Sequence, residues 1–189
     1  MTDLLPGFSD PVEAAQASFR SVLDAMSRPG SLHTAGTALA PPAPMSPATG
    51  ALLLTLADQD TPVFLAPAFA AAAGWLRFHC GADLVENPAA ARFVVTDELP
   101  DLTTLDTGTD EGPEDSATLI LQLPALGEGA GFTLAGPGLR APTPLHATGL
   151  PADFAASWAA NHALFPRGID LILTAGTTLT ALPRSVRVA

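Results

Sequence analysis

The sequence predicts a single α/β domain, residues 1–189, with a mixed β-sheet flanked by helices. Three observations point there. Apolar residues at helical spacing open the chain, short runs of Val, Ile and Leu recur through the remainder, and two such runs near the middle lie close enough to form a hairpin. At 48% apolar and 14% charged residues, the 189-residue chain has ample core material, which excludes an intrinsically disordered protein.

Taken in order, Asp10-Pro11-Val12-Glu13 reads as a helix start, with Asp10 as N-cap, Pro11 in the first turn and Glu13 at the capping-box position. Val12, Ala15, Phe19, Val22, Leu23 and Met26 recur as one stripe expected to be buried, and Ser27-Arg28-Pro29-Gly30 ends the helix. An extended connector, Pro41 to Pro47, precedes a second helix that starts at Ser46-Pro47 and ends near Asp58. Pro62 to Leu65 reads as a buried strand, residues 68–79 as a third helix closed by Gly81, Asn87-Pro88 as a brief turn, and Phe93 to Val95 as a strand. Ala117 to Leu123 and Gly131 to Ala135 read as neighbouring strands, with Pro124, Gly127 and Gly129 turning the chain between them. Gly136-Pro137-Gly138-Leu139-Arg140 and a Pro-rich connector follow, then a helix over 151–164, a strand over 168–174 and a last extended pair over 179–188, broken by Pro183.

The missing residue types exclude whole classes of chemistry. All eight basic residues are arginine; without lysine there is no Schiff-base nucleophile for pyridoxal phosphate or aldolase chemistry and no Walker-type phosphate loop. A solitary cysteine, Cys80, excludes an intrachain disulfide, a CxxC pair and a four-cysteine cluster. A net charge of −11 argues against independent nucleic-acid binding. Residues 97–115 carry eight of the 19 acids and no arginine, and read as a solvated acidic loop or insertion. The longest apolar stretch, Pro62 to Leu76, is interrupted by Pro67 and Gly74 and falls short of the ~20 residues a membrane span needs. The start, with Asp3 and no basic segment, does not read as a secretory signal, so a cytoplasmic protein is expected.

Without lysine, an anion must be held by arginine, histidine or backbone N–H groups. Arg28, Arg77, Arg140, Arg167 and Arg184 sit in turn-rich or terminal contexts, where each is either an anion ligand or one half of a structural or interface ion pair. Arg77-Phe78-His79-Cys80 concentrates a guanidinium, an imidazole and a thiol, but adjacent helical residues point about 100° apart, and the ordinary reading of Cys80 is a small buried hydrophobe. In the 151–164 helix Phe154 and Trp158 share a face that Phe165 extends; Asn161 falls inside it and His162 at its edge. His33 and His146 read as loop residues without metal-ligand spacing, so no metal is expected.

One ordered set of motifs carries the reading further: Phe19-Arg20, Ala25 to Gly30 (AMSRPG), Leu76 to His79, Gly136-Pro137-Gly138, Phe165 to Leu171 (FPRGIDL) and Ala181 to Arg184. This set resembles the PhnH family of the bacterial carbon–phosphorus lyase system, over about residues 8 to 184. The resemblance implies phosphonate catabolism in the cytoplasm, within a core complex that also contains subunits G, I and J, with accessory subunits K and L. It implies a part in making α-D-ribose 1-methylphosphonate 5-triphosphate from ATP and methylphosphonate, with the iron–sulfur radical step left to the J protein. It further implies a homodimer and a fold like the pyridoxal-phosphate-dependent transferases without the cofactor. No catalytic residues come with it. Arg28, Arg77, His79, Arg140, Arg167 and Arg184 therefore stand as phosphate-oxygen ligands or interface anchors. The alternatives are a stand-alone phosphonate or nucleotide sensor and a small hydrolase using His79 and Cys80.

Overall fold

Local signals set the helix starts. Asp10 accepts the Glu13 N–H at 3.1 Å ahead of helix α1 (Pro11–Ser27), and the Ser46 hydroxyl accepts the Thr49 N–H ahead of α2 (Pro47–Leu56). A 3-10 turn over Pro67–Ala72 runs into α3 (Ala73–Cys80), which Gly81 ends in the left-handed conformation, and α4 spans Phe154–His162. The strands are β1 (His33–Thr34), β2 (Val63–Leu65), β3 (Phe93–Thr96), β4 (Thr118–Gln122), β5 (Ala125–Ala135), β6 (Thr143–Thr148), β7 (Asp170–Ala175), β8 (Thr178–Leu182) and β9 (Arg187–Val188). This computed structural model describes residues 4–189, so Asp3 at the acidic start lies outside the described residues.

Six strands form the main sheet in the order β1-β8-β7-β4-β3-β2, with β2, β3, β4 and β7 parallel and β8 antiparallel to both its neighbours. Both faces are covered, so β4 and β7 read as unbroken apolar runs rather than alternating ones. The period of two still sorts their side chains. Val95, Ile120 and Ile172 point to the face covered by α1, α2 and α3; Val94, Leu119, Leu121, Leu171 and Leu173 point to the face covered by α4 and a three-stranded sheet, β6-β5-β9.

Several expectations are corrected. The runs 117–123 and 131–135 form no hairpin: β4 is a central strand of the main sheet, while β5 pairs with β6 and β9 in the small sheet. The sheet is mixed because β7 and β8 form the hairpin instead. Gly127 and Gly129 belong to an irregularity within β5, between Leu126 and Ala130, rather than to a turn. The connector after Arg140 contains β6, whose alternation buries Leu145 and Ala147, so His146 lies on a strand and His33 does likewise in β1. In α1 the buried side chains are Ser18, Val22 and Ala25, while Val12, Phe19 and Leu23 are 78%, 46% and 52% exposed. Helix α1 packs against α2 and β8 through its small residues, which allow close approach, and this turns much of the apolar stripe outward. Phe165 is also 60% exposed and does not extend the face of α4.

The acidic segment has a topological task. Adjacent parallel strands need a crossover of a dozen or more residues, usually a helix. Residues 97–117 make that crossover from β3 to β4 with two short 3-10 turns, buried at Leu102 and Leu105. At the carboxyl ends of β4 and β7, where open α/β sheets hold ligands, the chain supplies its own occupant. Gln122 Oε1 accepts the Ser46 N–H at 2.7 Å and the Thr49 hydroxyl at 3.0 Å, and its Nε2 donates to the Pro44 carbonyl at 2.8 Å. Thr49 and Thr174 hydroxyls bond each other at 2.8 Å, both fully buried. Replacing Gln122 by Ala orphans these partners, and the expected loss is about 2–3 kcal/mol in urea unfolding. A midpoint equal to wild type would contradict a structural role for the network.

Candidate functional site

The FPRGIDL and LPRS motifs come together around the end of α4. Gly168 has φ +115°, and a Cβ there would sit 3.0 Å from Asn161 Oδ1, so glycine lets the chain pass close to the helix. Asn161, 2% exposed, then closes a reciprocal pair: Oδ1 accepts the Ile169 N–H at 2.9 Å and Nδ2 donates to the Ile169 carbonyl at 3.0 Å. One residue on, Asp170 meets Arg184. Oδ2 takes Nη2 at 2.6 Å, while Oδ1 takes Nε at 3.2 Å and the Arg184 backbone N–H at 2.8 Å. Both side chains are under 20% exposed. Arg184 Nη1 also donates to the Pro113 carbonyl, His162 Nδ1 donates to the Arg184 carbonyl at 2.9 Å, and Trp158 Nε1 donates to the Val186 carbonyl at 2.7 Å.

The same region holds the acidic crossover in place. Arg167 pairs with Asp110 at 3.1 Å, and the Gly168 N–H reaches the Thr107 carbonyl. Arg92 binds Asp115 at 2.8 Å and the Glu114 and Ser116 carbonyls. Arg167 and Arg184 are thus brought onto one stretch, 107–113, by carboxylates and carbonyls of the chain itself. The Ser27-Arg28-Pro29-Gly30 turn meets the Gly136-Pro137-Gly138 turn, because Gly138 (φ +83°) leaves no room for a Cβ against the Ser27 carbonyl. Arg28 pairs with Asp24 one turn back at 3.1 Å, in solvent. Arg77 and Arg140 are exposed, and neither contacts a carboxylate among the described residues.

His79 and Cys80 do not face each other's chemistry. His79 Nε2 donates to the Leu5 carbonyl at 3.0 Å and its ring stacks edgewise on Trp75 and Phe78, which pins the chain before α1. The Cys80 thiol donates to the Leu76 carbonyl at 3.2 Å. Burial pushes that thiol above its ordinary value, Asp58 adds to the rise, and the Ala82 N–H opposes it. A cavity of about 650 Å³ lies between the crossover and α4, and no arginine lines it. Among the described residues no three or more His, Cys, Asp or Glu side chains converge as metal ligands would. Gln122 and Arg92 escaped sequence reasoning, since neither sits in a turn motif or a spaced cluster and their partners are distant in the chain; Asp170 sits in the FPRGIDL motif, but nothing in the motif marks it as the partner of Arg184.

Comparison with known proteins adds a family to this geometry. Residues 6–189 match the family described as bacterial phosphonate metabolism protein (PhnH). The chain is 42% identical over 185 residues to a Rhizobium meliloti (strain 1021) protein, the alpha-D-ribose 1-methylphosphonate 5-triphosphate synthase subunit PhnH, covering 95% of this chain and 92% of the relative. It is 34% identical over 100 residues to the putative C-P lyase subunit protein HtxG of Stutzerimonas stutzeri, about half of each chain.

Removing the Arg184 side chain strands the half-enclosed Asp170 carboxylate and frees the crossover. Arg184→Ala is expected to cost about 3 kcal/mol in urea unfolding, against less than about 1 kcal/mol for the exposed Arg28→Ala; equal losses would contradict this ranking. Because its folded-state value is raised, the thiol stays protonated through neutral pH. Alkylation of Cys80 by iodoacetamide should be slow there and climb only above the pH at which the urea-unfolded chain already reacts. Labelling of the folded chain as fast as the unfolded one at neutral pH would contradict it.

Proposed function

The chain belongs to the bacterial phosphonate metabolism family PhnH, and from that premise we propose how it contributes to phosphonate breakdown. It is a subunit of the carbon–phosphorus lyase complex that forms α-D-ribose 1-methylphosphonate 5-triphosphate, from ATP and methylphosphonate. Its part there is to shape the assembly rather than to supply the reacting groups. It works in the cytoplasm as a homodimer with subunits G, I and J and the accessory subunits K and L. No helix among the described residues is long and apolar enough to cross a membrane.

One observation carries this reading: Arg28, Arg167 and Arg184 of the signature turns are engaged by the chain's own carboxylates and carbonyls, and among the described residues no nucleophile stands beside a base. Arg184, Arg167 and Arg28 each hold an internal acid, His79 holds a backbone carbonyl, and the carboxyl ends of β4 and β7 are occupied by Ser46 and Thr49 through Gln122. Arg20, Arg77, Arg140 and Arg187 are exposed and without a carboxylate partner among the described residues, and of these Arg77 and Arg140 belong to the signature segments and are left for partner or phosphate oxygens. A largely parallel sheet with one antiparallel strand inside it, covered by helices on one face and by α4 with the small sheet on the other, supports the likeness to pyridoxal-phosphate-dependent transferases. The chain has no lysine with which to hold that cofactor in the usual way.

The purified chain alone is expected to release no adenine from ATP and methylphosphonate, and release is expected once the sister subunits are added; adenine release by the isolated chain would overturn the reading. Arg167→Ala, at an exposed ion pair, should shift the urea midpoint by less than about 1 kcal/mol while reducing the amount of subunits G and I that co-purify. Unchanged co-purification would remove Arg167 from the interface.

A further inference from the structure

The cavity between the crossover and α4 takes no part in anything described so far. Its walls are apolar at Leu99, Leu102 and Leu164, and Ser157 lies on its α4 side. Two carboxylates, Asp101 and Asp153, are its only charged lining groups. Thr103 donates both its N–H (2.9 Å) and its hydroxyl (2.7 Å) to Asp101 Oδ1, which leaves Oδ2 open. These bonds hold the Asp101 carboxyl below the usual carboxylate range, so it is ionised at neutral pH. Asp153 stands at the cap position of α4, yet its side chain makes no capping bond.

The electrostatics select the occupant. A triphosphate or a phosphonate entering here meets two negative charges and no cation. Arginine and lysine are the complement: an apolar stem lies along leucine while a cationic head reaches carboxylates. A volume of about 650 Å³ accommodates such a side chain together with apolar neighbours. The crossover wall is also set in advance, because Leu102 is buried and the Asp101–Thr103 bonds fix its turn, while the chain just beyond it is anchored by buried Leu105 and by Arg92, Arg167 and Arg184 on residues 107–116. A pre-ordered wall lowers the entropic cost of docking. The similar proteins are named as subunits, which makes a polypeptide partner available.

We propose that this groove seats a segment of a sister subunit that carries an arginine or lysine flanked by apolar side chains. The proposal rests on the subunit reading above. It gives the acidic crossover a second task beyond joining β3 to β4.

The test measures binding of the purified chain to the remaining subunits assembled without it, at low and high salt. Asp101→Asn with Asp153→Asn should weaken binding about tenfold at low salt and flatten its salt dependence. Ser157→Trp, which fills the groove, should weaken it at least as much, with circular dichroism and the urea midpoint reporting that the chain is folded. Glu128→Gln, an exposed acid on β5, should behave as wild type. If both groove variants bind with wild-type affinity and salt dependence, the proposal is overturned while the subunit reading stands. Wild-type chain that binds no sister subunit overturns both. Self-association lost in Ser157→Trp with subunit binding intact would assign the groove to a second copy of the chain, and would overturn the proposal as well.

Discussion

The Arg184–Asp170 pair joins four parts of the molecule, one of them 71 residues away in the chain. Asp170 begins β7, Arg184 follows β8, the guanidinium reaches Pro113 in the acidic crossover, and the Arg184 carbonyl receives His162 at the end of α4. Burying two charges is costly, and here the cost is offset by bidentate geometry and by a carbonyl that takes a further guanidinium N–H. Apolar side chains of equal volume would fill the same space without fixing which segments meet. The pair therefore acts on conformational specificity more than on net stability, and the crossover wall, the end of α4 and the start of β7 depend on it together.

That arrangement explains why a chain without lysine concentrates arginine at its turns. A planar guanidinium can serve a carboxylate and a carbonyl at once, which an ammonium does less well. Arg92 and Arg184 do such work, and together with the Arg167–Asp110 pair and the Gly168 N–H to Thr107 they draw the acidic segment onto the body of the domain instead of leaving it standing away. The carboxyl ends of the central strands are filled by the same logic, with Gln122 serving Pro44, Ser46 and Thr49. Binding groups that another α/β protein would leave open for a ligand are occupied from within. Among the charges left open are the carboxylates of the groove and the guanidinia of Arg77 and Arg140.

Much of the fold was legible where the signal is local. Asp10, Ser46, Asn87 and Gly81 mark helix boundaries because caps act over three or four residues, and β4 and β7 announce themselves because burial on both faces demands unbroken apolar runs. Pairing was less legible: β4 and β5 are neighbours in the chain, but β4 is held between β3 and β7, and nothing within residues 117–135 records that. β6 was hidden by Pro144, and the face of α1 by the assumption that large apolar residues are the buried ones, when Ser18 and Ala25 make the close contact. For the site, Asn161 was visible as a polar residue on an aromatic face. The role of Asp170, the Gln122 network and the groove were not, because each depends on a partner in another element, 14 residues on for Asp170 and more than 70 back for Gln122, or on space enclosed between segments.

The central claim is that Arg28, Arg167 and Arg184 of the signature turns serve the fold and form no phosphate-binding constellation among the described residues. Calorimetric titration of the purified protein with ATP and with methylphosphonate measures this directly. No saturable heat is expected with either ligand. Saturable one-to-one binding that disappears in Arg28→Ala or Arg167→Ala would contradict it.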